Sequence, residues 1–184
     1  MLKSIEREDK AMNGLVHIYT GNGKGKTTAS IGLGVRAVGS GMKVLMVQFC
    51  KGTSSAEEAS LEKLKPNFEL YKIKQIDKFS WQMTPQEKEE MQKITLDLLD
   101  YAIKKAQSKD MIILDEIMAA ITGDFIDAKQ VSHFIKNKPT KLELVLTGRN
   151  APSELIELAD YVSEINAVKH PMSKGIQARE GIEY

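Results

Sequence analysis

A chain of 184 residues with 42% hydrophobic and 28% charged side chains can bury a core of ordinary size, and its composition is that of a globular protein rather than a fibrous or disordered one. The formal net charge of +1 supplies no global basic field to recruit nucleic acid, and one cysteine, Cys50, excludes an intrachain disulfide framework and a cysteine-based zinc site. No apolar run approaches the ~18 residues of a membrane span, and the charged segment 1–10 has no apolar signal-like core, so a cytoplasmic chain forming one domain over 1–184 is expected.

Residues 1–13 read as a lead-in. A strand is expected over 15–20, and it runs into Gly21-Asn22-Gly23-Lys24-Gly25-Lys26-Thr27-Thr28. A helix follows from Lys26 to about Val38, with Ile31, Leu33, Val35 and Val38 as apolar positions and Gly39 and Gly41 beyond it. Strand, glycine-rich turn, Gly-Lys-Thr and helix is the order of a phosphate-binding P-loop. Glycines let backbone N–H groups converge on an anion, and the helix directs its free N–H groups and positive dipole end at the same point. Lys26 adds a charge, and Thr27 offers a hydroxyl to Mg²⁺. Thr20 stands where the usual P-loop pattern has its first glycine.

Residues 43–49 form a near-continuous apolar run, the signature of a parallel strand covered on both faces. A loop covers 51–67, with a helix at 56–64, and a short strand follows at 68–73. Phe79-Ser80-Trp81 reads in two ways: as a staple packed on the next helix, or as an aromatic wall for a large planar ligand. Thr84-Pro85-Gln86-Glu87 starts that helix with a capping box, and its buried face runs through Met91, Ile94, Leu98 and Ala102 to about Gln107.

The apolar run 111–116 ends in Asp115-Glu116. Paired carboxylates at the end of a strand can hold Mg²⁺ directly or through water, and the bland alternative is an acid capping the next helix. A helix is expected at 127–136 and a strand at 142–147. Gly148 then turns the chain so that Arg149 can present its fork of donors to an anion. A helix follows Pro152, and 161–165 reads as a last core strand. In the tail, His170 is either a hydrogen-bonded turn residue or part of a closure over a ligand; His17 and His133 read as structural, and Cys50 as a buried strand-end residue. Strands alternating with helices give an α/β fold with a mostly parallel sheet and helices on both faces, with ligands beyond the carboxyl ends of the strands.

The motifs Tyr19-Thr20-Gly21-Asn22-Gly23-Lys24-Gly25-Lys26-Thr27-Thr28, Val47-Gln48-Phe49-Cys50-Lys51-Gly52, Phe79-Ser80-Trp81, Leu114-Asp115-Glu116, Leu146-Thr147-Gly148-Arg149-Asn150-Ala151-Pro152, Val168-Lys169-His170-Pro171 and the stretch 175–184 occur in this order. Together they resemble the bacterial ATP:corrinoid adenosyltransferases of the RecA-like P-loop type, over about 14–184. Thr20 at the first loop position belongs to that family's variant loop. Cys50 departs from the aliphatic residue expected there, and 53–66 departs from the family pattern.

The resemblance implies transfer of the 5′-deoxyadenosyl group of ATP to the Co(I) centre of a reduced corrinoid, with Mg²⁺ or Mn²⁺ as cofactor and triphosphate as leaving group. It implies ATP contacts from Asn22, Gly23, Lys24, Gly25, Lys26, Thr27, Thr28 and Arg149. Metal contacts fall to Thr27, Asp115 and Glu116, and catalysis to Lys26, Thr27 and Glu116. Corrinoid contacts fall to Phe79, Trp81 and His170. A homodimer and an electron-donating flavoprotein are implied as partners, with no nucleic acid and no membrane. A RecA-like ATPase or small kinase, and a nucleotide-gated corrinoid carrier, use the same loop and stay open at this point.

Overall fold

A computed structural model of the chain describes residues 13–52, 55–76 and 78–183, so nearly all of the expected lead-in lies outside the described residues. Six strands form one sheet in the order β3-β2-β4-β5-β1-β6: β1 Val16–Thr20, β2 Val44–Gln48, β3 Phe68–Tyr71, β4 Met111–Asp115, β5 Glu143–Thr147 and β6 Tyr161–Glu164. Every neighbouring pair is parallel, so all strands end at the same edge. The helices are α1 Lys26–Gly39, α2 Glu57–Glu62, α3 Pro85–Lys105, α4 Ile117–Thr122, α5 Ala128–Asn137 and α6 Ser153–Ile156.

The period of two along each strand builds the layers. Leu45, Val47, Ile112, Leu114, Leu144 and Leu146 point to one face and pack with Leu98, Phe134, Ile117 and Leu155 of α3 to α6. Their neighbours Val44, Met46, Met111, Ile113 and Val145 point to the other face, towards Ala37 of α1 and Leu61 of α2. Every residue of β2 and β4 is buried, as their unbroken apolar runs require. The capping box of α3 is formed: Glu87 N donates to Thr84 Oγ1 (3.2 Å) and Thr84 N to Glu87 Oε2 (2.8 Å). Among the described residues, no helix is long and apolar enough to cross a membrane.

Two elements depart from expectation. β6 is an edge strand beside β1, not a core strand, and all four of its residues are exposed. The six-residue α4 was not anticipated. Its sequence continues the apolar run of β4 across Asp115-Glu116 and has no helical period long enough to read.

In helix α1 the apolar Ile31, Leu33 and Val38 pack partly buried on the core, but the most buried positions are others. Its buried residues are Lys26, Ser30, Gly34 and Ala37, small side chains apart from the lysine, while Val35 is 43% exposed. The helix lies so close to the sheet that a Cβ on Gly34 would sit 2.5 Å from Cε2 of the fully buried Phe68 ring. Replacing Gly34 by alanine gains about 1 kcal/mol of helix propensity. Forcing Phe68 off its seat costs about 1–3 kcal/mol. Gly34→Ala is therefore expected to lower stability, and a rise in the urea midpoint would refute this packing.

Candidate functional site: a phosphate-binding cavity at the strand ends

The loop from β1 into α1 is shaped by its neighbour β6. Gly21 (φ 97°) and Gly25 (φ 118°) occupy the left-handed half of backbone space. A Cβ on Gly21 or Gly23 would stand 2.5 or 2.7 Å from the carbonyl oxygen of Ile165, just past β6. Gly23 N donates to that same oxygen at 2.7 Å. The glycines are thus required by close backbone approach as well as by dihedral angle. Thr20, in the unusual first position, is buried, and its Oγ1 accepts from Ala151 N at 3.4 Å. That bond ties the loop to the β5–α6 turn that carries Arg149.

Lys26 is buried, and its Nζ donates to the carbonyls of Gly21 and Gly23, 2.9 Å each. Burial lowers its pKa, and the nearby carboxylate of Glu116 works against that shift. Asp115, at the end of β4, is only 2% exposed. Its Oδ1 accepts from Thr27 Oγ1 (2.9 Å) and Thr147 Oγ1 (2.7 Å), and its Oδ2 from Gln48 Nε2 (3.4 Å). Burial raises the Asp115 pKa, opposed by the hydroxyls of Thr147 and Thr27.

Glu116 has the left-handed φ of 61°, and its N–H donates to Thr147 Oγ1 at 2.9 Å. It stands at the N-cap position of α4, yet its side chain makes no capping bond, so the bland reading of this acid fails. Its pKa is raised by burial and by the charge of Asp115, while Lys26, Arg149 and Lys51 pull it down. Thr147 and Gln48 were not singled out as site residues. The available signal was the one that marks Asp115: a polar side chain ending an otherwise apolar strand.

All eight residues expected to contact ATP line one cavity of about 260 Å³, with Glu116 and His170 beside them. Ile182 and Glu183 line it too, so the tail reaches the P-loop of its own chain. Arg179 holds the tail in a turn, donating to Glu183 through Nε (3.2 Å) and a terminal nitrogen (3.1 Å). A second cavity of about 540 Å³ shares Lys24, Thr27, Thr28, Ile182 and Glu183, and adds Lys51, which is paired with Glu57.

His170 is both a turn residue and a cavity residue: its Nδ1 accepts from Met172 N at 3.3 Å. It is not grouped with Phe79 and Trp81, which do not line this cavity. These two aromatics are 63% and 75% exposed and stack on each other, centroids 4.5 Å apart and planes within 4°. Side chains so exposed are not a staple on α3. Cys50 is only half-buried, two residues past β2, and burial pushes its thiol up to about 12, which disfavours the thiolate.

The donor set fits a magnesium–phosphate complex. Thr27 gives its proton to Asp115 and keeps lone pairs for a cation, and two crowded carboxylates with raised pKa values gain from a positive charge. Among the described residues no group of three or more His, Cys, Asp or Glu side chains gathers to hold a metal, so phosphate oxygens and water would complete the shell.

The raised pKa of Glu116 has a consequence for stability. The folded protein holds this proton more tightly than the unfolded chain. The stability it contributes is full below the ordinary value of 4.5 and is lost as pH rises through the raised value. Glu116→Gln escapes that loss. Without nucleotide or metal it is expected to be more stable than the parent by about 1 kcal/mol at neutral pH. The gain should fade as pH falls towards 4.5. Denaturation of both proteins at pH 4 and pH 7 checks this, and a gain of equal size at both would reject the electrostatic cause.

Comparison with known proteins identifies the family. The family described as ATP:corrinoid adenosyltransferase BtuR/CobO/CobP matches residues 12–184. The Corrinoid adenosyltransferase of Escherichia coli K12 is 35% identical over 173 residues, covering 93% of this chain and 86% of that protein. A Sinorhizobium protein of the same name is 35% identical over 182 residues, with 93% and 80% covered. Corrinoid adenosyltransferase CobA of Salmonella typhimurium is 33% identical over 171 residues, with 93% and 86% covered. With the match running from the lead-in through the P-loop, the Asp115-Glu116 pair and the tail, the chain belongs to the ATP:corrinoid adenosyltransferase family.

Proposed function

We propose that this protein transfers the 5′-deoxyadenosyl group of ATP to the Co(I) centre of a reduced corrinoid such as cob(I)alamin and releases triphosphate, in the cytoplasm. The supporting observation is the single cavity that unites the P-loop, Lys26, Arg149 and Glu116 in a member of this family. In the reaction, a cobalt electron pair forms the cobalt–carbon bond to C5′. The C5′–O bond breaks, and its electron pair leaves on the triphosphate. Cobalt passes formally from +1 to +3, and no proton moves, so no general base is needed.

The chain's own task is to hold C5′ in line and to stabilise charge on the departing triphosphate. Lys26 would exchange its two carbonyl partners for phosphate oxygens, joined by Lys24, Arg149 and the N–H groups of residues 22–28. Thr27 and Glu116, with Asp115 behind Thr27, would hold Mg²⁺, which neutralises phosphate charge. Phe79 and Trp81 would line the lower corrinoid face, where an apolar wall excludes an axial ligand and eases reduction of Co(II). His170 is assigned to the corrinoid as well, and its place in the nucleotide cavity would bring the two substrates onto adjoining residues. A flavoprotein would deliver the electron, and two copies of the chain would form a homodimer.

One observation favours a second reading. Glu116 has a raised pKa inside the phosphate cavity, the property of a base that activates water in an ATPase or an acceptor hydroxyl in a kinase. Products separate the two. Anaerobic incubation with chemically reduced cobalamin and Mg·ATP is expected to give triphosphate and a light-sensitive adenosylated corrinoid in equal amounts. ADP without that product would overturn the transfer.

The exposed pair carries its own prediction. Trp81→Ala is expected to impair adenosylation that starts from Co(II) and enzymatic reduction more than adenosylation of pre-formed Co(I). Equal losses in the two assays would remove the lower-face role.

A further inference from the structure

Thr147 closes β5, the strand between the P-loop strand and the strand that carries Asp115. It is fully buried. Its single hydroxyl has one proton and uses it on Asp115 Oδ1 at 2.7 Å. The lone pair of the same oxygen accepts the N–H of Glu116 at 2.9 Å. A carboxylate oxygen can only accept and a backbone N–H can only donate, so the direction of both bonds is forced.

The surroundings leave this residue little freedom. Thr147 is paired in register with Tyr19 of β1, and the next amide, Gly148 N, donates to Tyr19 O at 3.2 Å. Gly148 has φ 138°, and a Cβ there would meet Cβ of Met118 in α4 at 2.6 Å. The β5 turn is therefore wedged between the P-loop strand and the helix that begins after Glu116. Glu116 holds a left-handed backbone that a non-glycine residue adopts only when its surroundings impose it.

We propose that Thr147 is a positioning residue of the metal–nucleotide site: its hydroxyl fixes the Asp115 carboxylate against Thr27 and, through the Glu116 N–H, fixes the turn that presents Glu116 to the P-loop. One oxygen thereby sets the separation of both acids from the P-loop hydroxyl. The inference rests on reading the cavity as a Mg·ATP site, not on the corrinoid chemistry.

The test is calorimetric binding of ATP with and without Mg²⁺, and of tripolyphosphate without metal, to the whole chain and its variants. Thr147→Val keeps the shape and removes the hydroxyl. It is expected to lose about tenfold in the metal-dependent part of ATP affinity, the scale for a residue that orients a metal ligand. Metal-free tripolyphosphate binding should stay within about twofold of the parent, because that contact belongs to the P-loop and Lys26. Thr147→Ser keeps the hydroxyl and should restore Mg·ATP binding. A folded Thr147→Val protein that binds Mg·ATP like the parent overturns the proposal, as does a Thr147→Ser protein as weak as the valine variant.

Should the valine variant fail to fold, the serine variant and the exchange of the Glu116 amide in the parent still decide. A protected amide is expected, and exchange as fast as in an open loop overturns the proposal. If the parent binds Mg·ATP in this Thr147-dependent manner yet leaves reduced cobalamin unadenosylated, the proposed reaction falls and this inference stands. Adenosyl transfer with an indifferent Thr147→Val has the opposite meaning.

Discussion

A carboxylate sealed into the end of a parallel sheet is costly unless donors surround it, and Asp115 is such a group. It is 2% exposed, and its three donors come from three places: Thr27 from the start of α1, Thr147 from β5 and Gln48 from β2. None of these is local in sequence. Each arrives only when the sheet has its order β3-β2-β4-β5-β1-β6, which sets the Asp115 strand beside both β2 and β5 and leaves one strand between it and the P-loop. The satisfaction of one buried charge and the global topology are therefore the same event. The site is assembled by the fold rather than added to it.

The same edge explains why the glycines of the loop cannot vary freely. β6 contributes little to the core, since its side chains are exposed, but the backbone just beyond it packs against the P-loop and accepts from Gly23. Ile165 O stands where a side chain on Gly21 or Gly23 would project. An edge strand that looks dispensable by burial thus works as a backstop for the phosphate loop.

Much of this was legible in the chain. Apolar runs of strand length, a capping box at Thr84 and glycine before Lys26-Thr27 each express a local rule, and each corresponds to a real element. Local rules fail where the deciding neighbour is distant. The close approach of α1 to the sheet is set by Phe68, far along the chain, so the small residues Ser30, Gly34 and Ala37 mark its deepest line. β6 reads as a core strand from composition, yet it lies at a sheet edge with all four residues exposed. α4 is hidden because an apolar strand flows into an apolar helix with only two acids between. Thr147 lies inside a sequence motif but carries its meaning only through two bonds that span 31 and 32 positions.

The distribution of burial across the site separates two kinds of work. The phosphate half rests on Asp115, Thr147, Gln48 and Lys26, all buried, all hydrogen-bonded, all anchored to strand ends or the first turn of α1. The stacked Phe79–Trp81 pair proposed for the corrinoid side, at the start of a one-turn helix, is exposed, and so is the chain tail, held in shape by its own Arg179–Glu183 clasp. Elements with few buried contacts sit at the low end of local stability and can change shape at little cost. A compact triphosphate needs a fixed array of charges, and in the proposed reaction the buried half would supply it. In the proposed reaction the second substrate is a broad, flat macrocycle, and covering it needs surfaces that adjust. In that proposal, the division between a sealed carboxylate hub and loosely held aromatics is what transfer between two such unlike molecules would demand.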